Sequence, residues 1–215
     1  MMDDFKITLP ASTMSVDDHL RMSAVIEFAE NVATLHHFFE DGHAERCSTL
    51  AYDLAVELGM SMEDIILLLY ATQLHDHGKI GISEHVLARK RVSKSEMDMI
   101  KGHPGRGADL IKNMRFDNRI ENAIRHHHEW WNGKGYPDKL KGEDIPLFSR
   151  IVGIVDAFDG ITSERVYHPV RTITEALEIM QIEAGIKFDP TLFAVFQRIV
   201  MGRSQDTPAQ DDDYG

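Results

Sequence analysis

Residues Ile65-Ile66-Leu67-Leu68-Leu69-Tyr70-Ala71 put apolar side chains on every side of whatever they form. Ser61 stands ahead of them in position to cap a helix, and a helix that lacks a polar face is buried all round. The run is therefore predicted to be a central helix of a helical core. Directly after it comes Leu74-His75-Asp76-His77-Gly78-Lys79, so the helix driven inside carries an imidazole and a carboxylate in with it. Burying such groups without partners is costly, about 2–7 kcal/mol for a neutral polar group and more for a charge. A divalent cation supplies the partner. Neutral imidazole and carboxylate suit a first-row ion, and the two oxygens of Asp76 can bridge a pair of ions. Two ions about 3.5–4 Å apart suit hydrolysis of a phosphate ester, with Lys79 placed to meet the phosphate as a point charge.

The rest of the chain is compatible with one such core. With 215 residues and 43% hydrophobic composition it can bury a single domain of generous size. A formal net charge of -12 repels nucleic-acid polymers and anionic membrane surfaces, while leaving room for a small anionic ligand in a pocket that metals make locally positive. Cys47 is the single cysteine, so no internal disulfide forms, and no apolar run reaches about 18 residues. The expected address is the cytoplasm, with no membrane span.

Periodicity divides the chain into helices. Residues 1–14 read as a flexible leader and 15–40 as an N-terminal helix, with Leu20, Ala24, Phe28, Val32, Leu35 and Phe39 on one face and His36 and His37 at its C-terminal end. His43 opens a helix carrying Leu50, Leu54 and Leu58 and ending at Gly59. Ser93 with Glu96 caps a short helix, and His103 sits at the junction before Pro104, where its ring can point inward. Asp117 caps a helix over residues 118–129 that ends in His126-His127-His128-Glu129. Successive helical residues are about 100° apart, so at most two of these three rings face one site. Trp130-Trp131-Asn132-Gly133-Lys134-Gly135-Tyr136-Pro137 is a loop whose tryptophans are expected to pin it to the core. Pro146 starts a helix with Leu147, Phe148, Ile151, Ile154, Val155 and Phe158 buried, and Asp156 and Asp159, three apart, approach the same side. Thr172 with Glu175 caps another helix, Asp189-Pro190 starts the last, and residues 203–215 form an acidic tail expected to be disordered. No strand-like alternation and no repeat appear. The expected architecture is all-α, one domain over 41–202 with the metal site in its core.

Taken together and in order, His43-Ala44-Glu45-Arg46, Leu74-His75-Asp76, Gly78-Lys79-Ile80-Gly81, His103-Pro104, His127-His128-Glu129, Gly135-Tyr136-Pro137, Arg150-Ile151, Asp156-Ala157-Phe158-Asp159 and Phe188-Asp189-Pro190 resemble an HD-GYP domain, a subgroup of the HD phosphohydrolase superfamily whose members hydrolyse cyclic di-GMP to pGpG or GMP. The resemblance implies metal ligation by His43, His75, Asp76, His103, His127, His128 and Asp156, with Asp76 bridging two divalent ions, usually iron or manganese. It also implies in-line attack on phosphorus by a hydroxide held between the ions. Lys79 would contact the scissile phosphate and Arg165 a phosphate or guanine; Tyr136, Asp159 and Lys134 would border the ligand.

The departures from the family pattern are specific. Members with a third metal carry a glutamate four residues before the position of His43, where this chain has Phe39, so two ions are expected. His77 replaces an aliphatic residue, Arg89-Lys90-Arg91 replaces a Lys-Pro-Gly pattern, Val166 replaces proline, and His168 stands where Arg or Lys is usual. The expected partner is cyclic di-GMP, together with a possible signalling protein. Two other readings remain: a signalling module that binds a cyclic dinucleotide or a protein without turnover, and a hydrolase of another nucleotide.

Overall fold

The computed structural model describes residues 17, 20–24, 26–27, 42–89, 91–112, 114, 116–163 and 170–206. Among these the regular structure is helical, apart from one isolated bridge between Ala184 and Phe188. In chain order the helices are α1 (His43–Glu57), α2 (Met62–Leu74), α3 (Glu84–Leu87), α4 (Lys94–Lys101), α5 (His103–Lys112), α6 (Asn118–His126), α7 (Leu147–Thr162), α8 (Ile173–Glu183) and α9 (Pro190–Asp206), with 3-10 turns at His77–Gly81 and Gly142–Asp144.

The all-apolar segment does what its composition demands. Ser61 caps α2 by accepting from Asp64 N, and Ile65, Ile66, Leu67, Leu68, Leu69, Ala71 and Leu74 are all buried. Around α2 pack α1, α6 and α7, and each large side chain so enclosed contributes about 1.5–3 kcal/mol. The capping boxes read from Ser93/Glu96 and Thr172/Glu175 both form, and Asp117 caps α6 through Arg119 N.

Four expectations need correction. Helix α6 stops at His126 rather than residue 129, because Glu129 N donates back to His126 O at 2.9 Å in a tight turn that hands the chain to the loop. Leu147 is 37% exposed and does not belong to the buried stripe of α7; its place is taken by Val152. In the N-terminal helix Leu20 is 63% exposed, while Met22 is fully buried and Ile26 packs on the core, so the inward face is turned from the one anticipated. Helix α9 continues to Asp206, past residue 202, where Arg203 pairs with Asp53 of α1. The leader 1–14, residues 28–41 with His36, His37 and Phe39, and the tail from 207 lie outside the described residues, as do Arg165, Val166 and His168. Among the described residues no helix is long and apolar enough to cross a membrane.

Two glycines let the elements close on one another. A Cβ at Gly78 would lie 1.9 Å from His103 O, so only glycine lets the 3-10 turn after Asp76 rest on the start of α5. A Cβ at Gly153 would lie 2.8 Å from His127 O, so α7 approaches the end of α6 closely enough to bring Asp156 to the histidines.

Candidate metal centre

Four of the expected ligands are imidazoles whose outer nitrogens are already committed. His75, His103 and His127 each donate from Nδ1 to the carbonyl three residues earlier: Thr72 O at 2.7 Å, Ile100 O at 2.9 Å and Ile124 O at 2.7 Å. His43 directs Nδ1 to Asp159 Oδ2 at 2.7 Å. A ring whose Nδ1 holds the proton presents a lone pair at Nε2, and the hydrogen bond fixes both tautomer and orientation.

All four Nε2 atoms point into one space. His103 and His127 Nε2 are 3.2 Å apart, and His43 and His75 Nε2 are 3.4 Å apart. Asp76 lies between the two pairs: its Oδ1 is 3.1 Å from His103 Nε2, and its Oδ2 is 3.7 Å from His75 Nε2 and 3.9 Å from His43 Nε2. Asp156 Oδ1 joins the second pair, 3.5 Å from His43 and 3.8 Å from His75. His128 joins the first, its ring centroid 4.2 Å from that of His127 and 5.0 Å from that of His103. Three groups among the described residues could hold an ion: His43/His75/Asp156 and His103/His127/His128 face this space, while His43/Cys47/Asp159 lies behind His43, where burial and the neighbouring carboxylates keep the Cys47 thiol protonated and a poor ligand. Lone pairs and carboxylates facing one another in a buried space repel unless a cation lies among them, so the donor set fits divalent metal. All N and O donors with no thiolate suit iron, manganese or zinc.

Charge is distributed unevenly. Burial alone would raise the Asp76 carboxyl, yet Lys79, His75 and His103 hold it well below the usual carboxylate range. Asp156 is pushed up by burial but lowered further by His75 and His128, so it too is ionised. Burial pulls the His75 imidazole down, but Asp76 and Asp156 outweigh it and raise it to about 8. Burial and neighbouring imidazoles push His127 well below its ordinary value; burial takes His128 to about 4 despite Asp156. Lys79 Nζ donates to Asp76 Oδ2 at 2.5 Å, with a quarter of its side chain exposed.

The sequence model of the HD domain family matches residues 27–192, which include every residue of this cluster. The chain belongs to the HD domain family. It is 38% identical over 167 residues to the cyclic di-GMP phosphodiesterase response regulator RpfG of Xanthomonas campestris, covering 75% of this chain and 43% of that one. It is 30% identical over 158 residues to the 3'3'-cGAMP-specific phosphodiesterase 3 of Vibrio cholerae, covering 73% and 34%. The crystal structure of a V. cholerae cyclic GMP-AMP phosphodiesterase, V-cGAP3, superposes with a TM-score of 0.61 at 26% identity over 77% of this chain and 45% of that one. The HD-GYP resemblance drawn from the motifs is borne out by these relatives, and the chain spans less than half the length of the curated proteins it matches.

Other expected site residues fall differently in this HD domain. Asp159, anticipated at the ligand, is 2% exposed and faces inward: it accepts from His43 and, at 2.5 Å, from Arg46 Nε. Burial would raise its carboxyl, but His43 and Arg46 hold it at about 2. Arg46, one turn beyond His43 on α1, has no role in the sequence reading, and its three-residue spacing from His43 is the signal that puts both on Asp159. Lys134 is exposed on the loop, and no described contact joins its side chain to the cluster. Tyr136 borders the centre with its ring centroid 5.0 Å from that of His128, and Lys101 Nζ lies over the same tyrosine ring, 5.5 Å from its centroid. His126 is the bystander among the three histidines: it donates from Nε2 to Asp138 Oδ2 at 3.0 Å and ties down the loop. The loop is held by its main chain, Trp131 N to Lys187 O and Asn132 N to Ile186 O, each at 3.0 Å, while the tryptophan rings, expected to pin it to the core, are half-buried against Arg150 and Lys187.

Proposed function

We propose that this domain is a metal-dependent phosphodiesterase that hydrolyses a cyclic dinucleotide, cyclic di-GMP in the first place, to pGpG or GMP. The observation that carries the reading is Asp76, with Oδ1 turned to His103 and Oδ2 to His75 and His43, the placement expected of a carboxylate shared by two ions. His43, His75 and Asp156 would hold one ion, His103, His127 and His128 the other, and Asp76 both. Iron or manganese is the pair of metals we favour, from the N/O donor set. When bound, the ions supply the charge that activates water and stabilises the attacking and leaving oxygens of an in-line displacement. Lys79, which meets the shared carboxylate of Asp76, would hold the phosphate, Tyr136 walls the ligand, and Arg165 and Lys134 are assigned to its outer parts. Relatives named for cyclic di-GMP and for 3'3'-cGAMP both support the substrate class, and the second favours the mixed dinucleotide as the alternative substrate. The unit responsible runs from about residue 41 to the end of α9, and we place it in the cytoplasm.

The test is product analysis. Full-length protein is reconstituted anaerobically with Fe or Mn, its metal content is measured, and it is incubated with cyclic di-GMP, 3'3'-cGAMP and cyclic di-AMP. The expected result is a linear or mononucleotide product with about two ions per chain. Two ions bound with all three substrates intact would overturn the enzyme reading in favour of a binding module.

A further inference from the structure

Helix α4 has no buried residue, so an apolar face does little to fix where it sits. Its last turn nevertheless supports the metal centre, because Ile100 O accepts from His103 Nδ1 at 2.9 Å. The 3-10 turn His77–Gly81, which carries Lys79, rests on α5 through glycine backbones: a Cβ at Gly78 would lie 2.6 Å from Gly107 N. One side chain ties both pieces to α5. Arg106, one turn after His103, donates from Nε to Gly78 O at 3.1 Å and from Nη2 to Met99 O at 2.9 Å. Gly78 immediately precedes Lys79, and Met99 immediately precedes Ile100. The last carbonyls of a helix lack intrahelical donors, so a charged, forked donor at the negative end of α4 is well placed.

Gly102 independently marks the place of this guanidinium. Its φ of -78° and ψ of -8° are open to any residue, so the backbone does not call for glycine there. A Cβ at Gly102 would lie 2.6 Å from Arg106 Nη1. The missing side chain keeps room for the arginine. The described acceptors of Arg106 are main-chain carbonyls rather than carboxylates, so its work is to hold segments in register and not to balance surface charge.

We propose that Arg106 is a positioning residue, which by holding Gly78 O and Met99 O to α5 fixes the turn that sets Lys79 against Asp76. It acts through Lys79 and not on the substrate. Misplacing a reacting group by about 1 Å can cost about 100-fold in rate, and a turn loosened on one side is expected to cost less than that. The kinetic consequence rests on the phosphodiesterase reading, whereas the tie between the segments can be read without it.

The experiment compares full-length Arg106→Ala, Arg106→Lys and Gly102→Ala, each also combined with Lys79→Ala. Backbone hydrogen exchange of the metal-free protein is followed by mass spectrometry over residues 77–82 and 94–103, and kcat/KM for cyclic di-GMP is measured after reconstitution with Fe or Mn. Arg106→Ala is expected to speed exchange in both segments roughly ten-fold with α2 unchanged. Its kcat/KM should fall roughly ten-fold, and Arg106→Lys, which keeps the charge and a donor, should recover part of both effects. Gly102→Ala, which displaces the guanidinium without removing it, should reproduce both losses and serves if Arg106→Ala does not fold. In the Lys79→Ala background the same substitutions should leave the residual rate unchanged, because nothing remains to be positioned, whereas a general loosening of the fold lowers both backgrounds alike. Exchange unaltered by either variant, or equal rate losses with and without Lys79, overturns the proposal. Faster exchange in a metal-loaded protein that hydrolyses no cyclic dinucleotide upholds Arg106 as the tie and overturns the phosphodiesterase reading instead.

Discussion

The two halves of the metal centre differ in what they are made of and in how they are held. The His43/His75/Asp156 half joins α1, the end of α2 and α7, contains a carboxylate, and raises His75 to about 8. The His103/His127/His128 half joins the starts and ends of α5 and α6, is all imidazole, and takes His128 down to about 4. At neutral pH the His75 ring therefore carries a proton that an incoming ion would displace, whereas His127 and His128 are neutral and would bind without losing one. Their supports differ too. In the second half His103 and His127 lean on backbone carbonyls, which no side-chain substitution removes; in the first only His75 does so, while His43 leans on Asp159, itself held by Arg46. Two sites a few ångströms apart can thus be preorganised by different means, and they are expected to fail differently.

The largest effect should come from removing what the halves share. Asp76→Ala is expected to lower metal content from two ions to one or none and to reduce hydrolysis by about 10³-fold or more, read by metal analysis and product assay on the same sample. Lys79→Ala spares both halves. It should leave metal content unchanged and cost about 10²–10³-fold in rate, so a comparable loss of metal would show Lys79 to be holding the centre together rather than the phosphate. Asp159→Asn separates the halves. Its expected consequence is about a 10–100-fold loss of affinity for one ion with the other retained, visible as two distinct steps in chelator competition; a uniform loss would mean that the halves are not independent.

The smallest effect is the one that reads their charge. A folded-state value of about 8 for His75, above its ordinary 6.5, means that the charged ring stabilises the metal-free protein fully below about 6.5 and that this contribution is lost as pH rises through about 8. Melting temperature of metal-free protein should therefore decline across that window, and metal uptake at neutral pH should release a proton detectable in weak buffer. His75→Gln should abolish both signals. Persistence of either one would move the proton to another group.

Much of this was legible in the chain. An all-apolar run cannot be placed anywhere but inside, so α2 and the delivery of His75 and Asp76 followed from composition alone. Capping at Ser61, Ser93, Asp117 and Thr172 followed from hydrogen bonds that span two or three residues. The 100° step limits the three histidines to two rings in the cluster, as the structure places them, although it could not say that His126 would be the one turned to Asp138.

What tertiary structure decided were relations between residues far apart in the chain. The pairing of His43 with Asp159 spans 116 positions and depends on how closely α1 and α7 pack, which the periodicity of neither helix contains. Glu129 and Arg150 each read as an ordinary charged residue of a motif. They come to line one cavity because Gly153 lets α7 close on the end of α6 while the tryptophan loop is tied to the segment after α8. Periodicity is a local property set by backbone geometry, so it determines which face of each helix turns inward. The separation between helices is set by side-chain volume at their crossings, and it is that separation which turns inward-facing residues into a metal centre and leaves a cavity beside it.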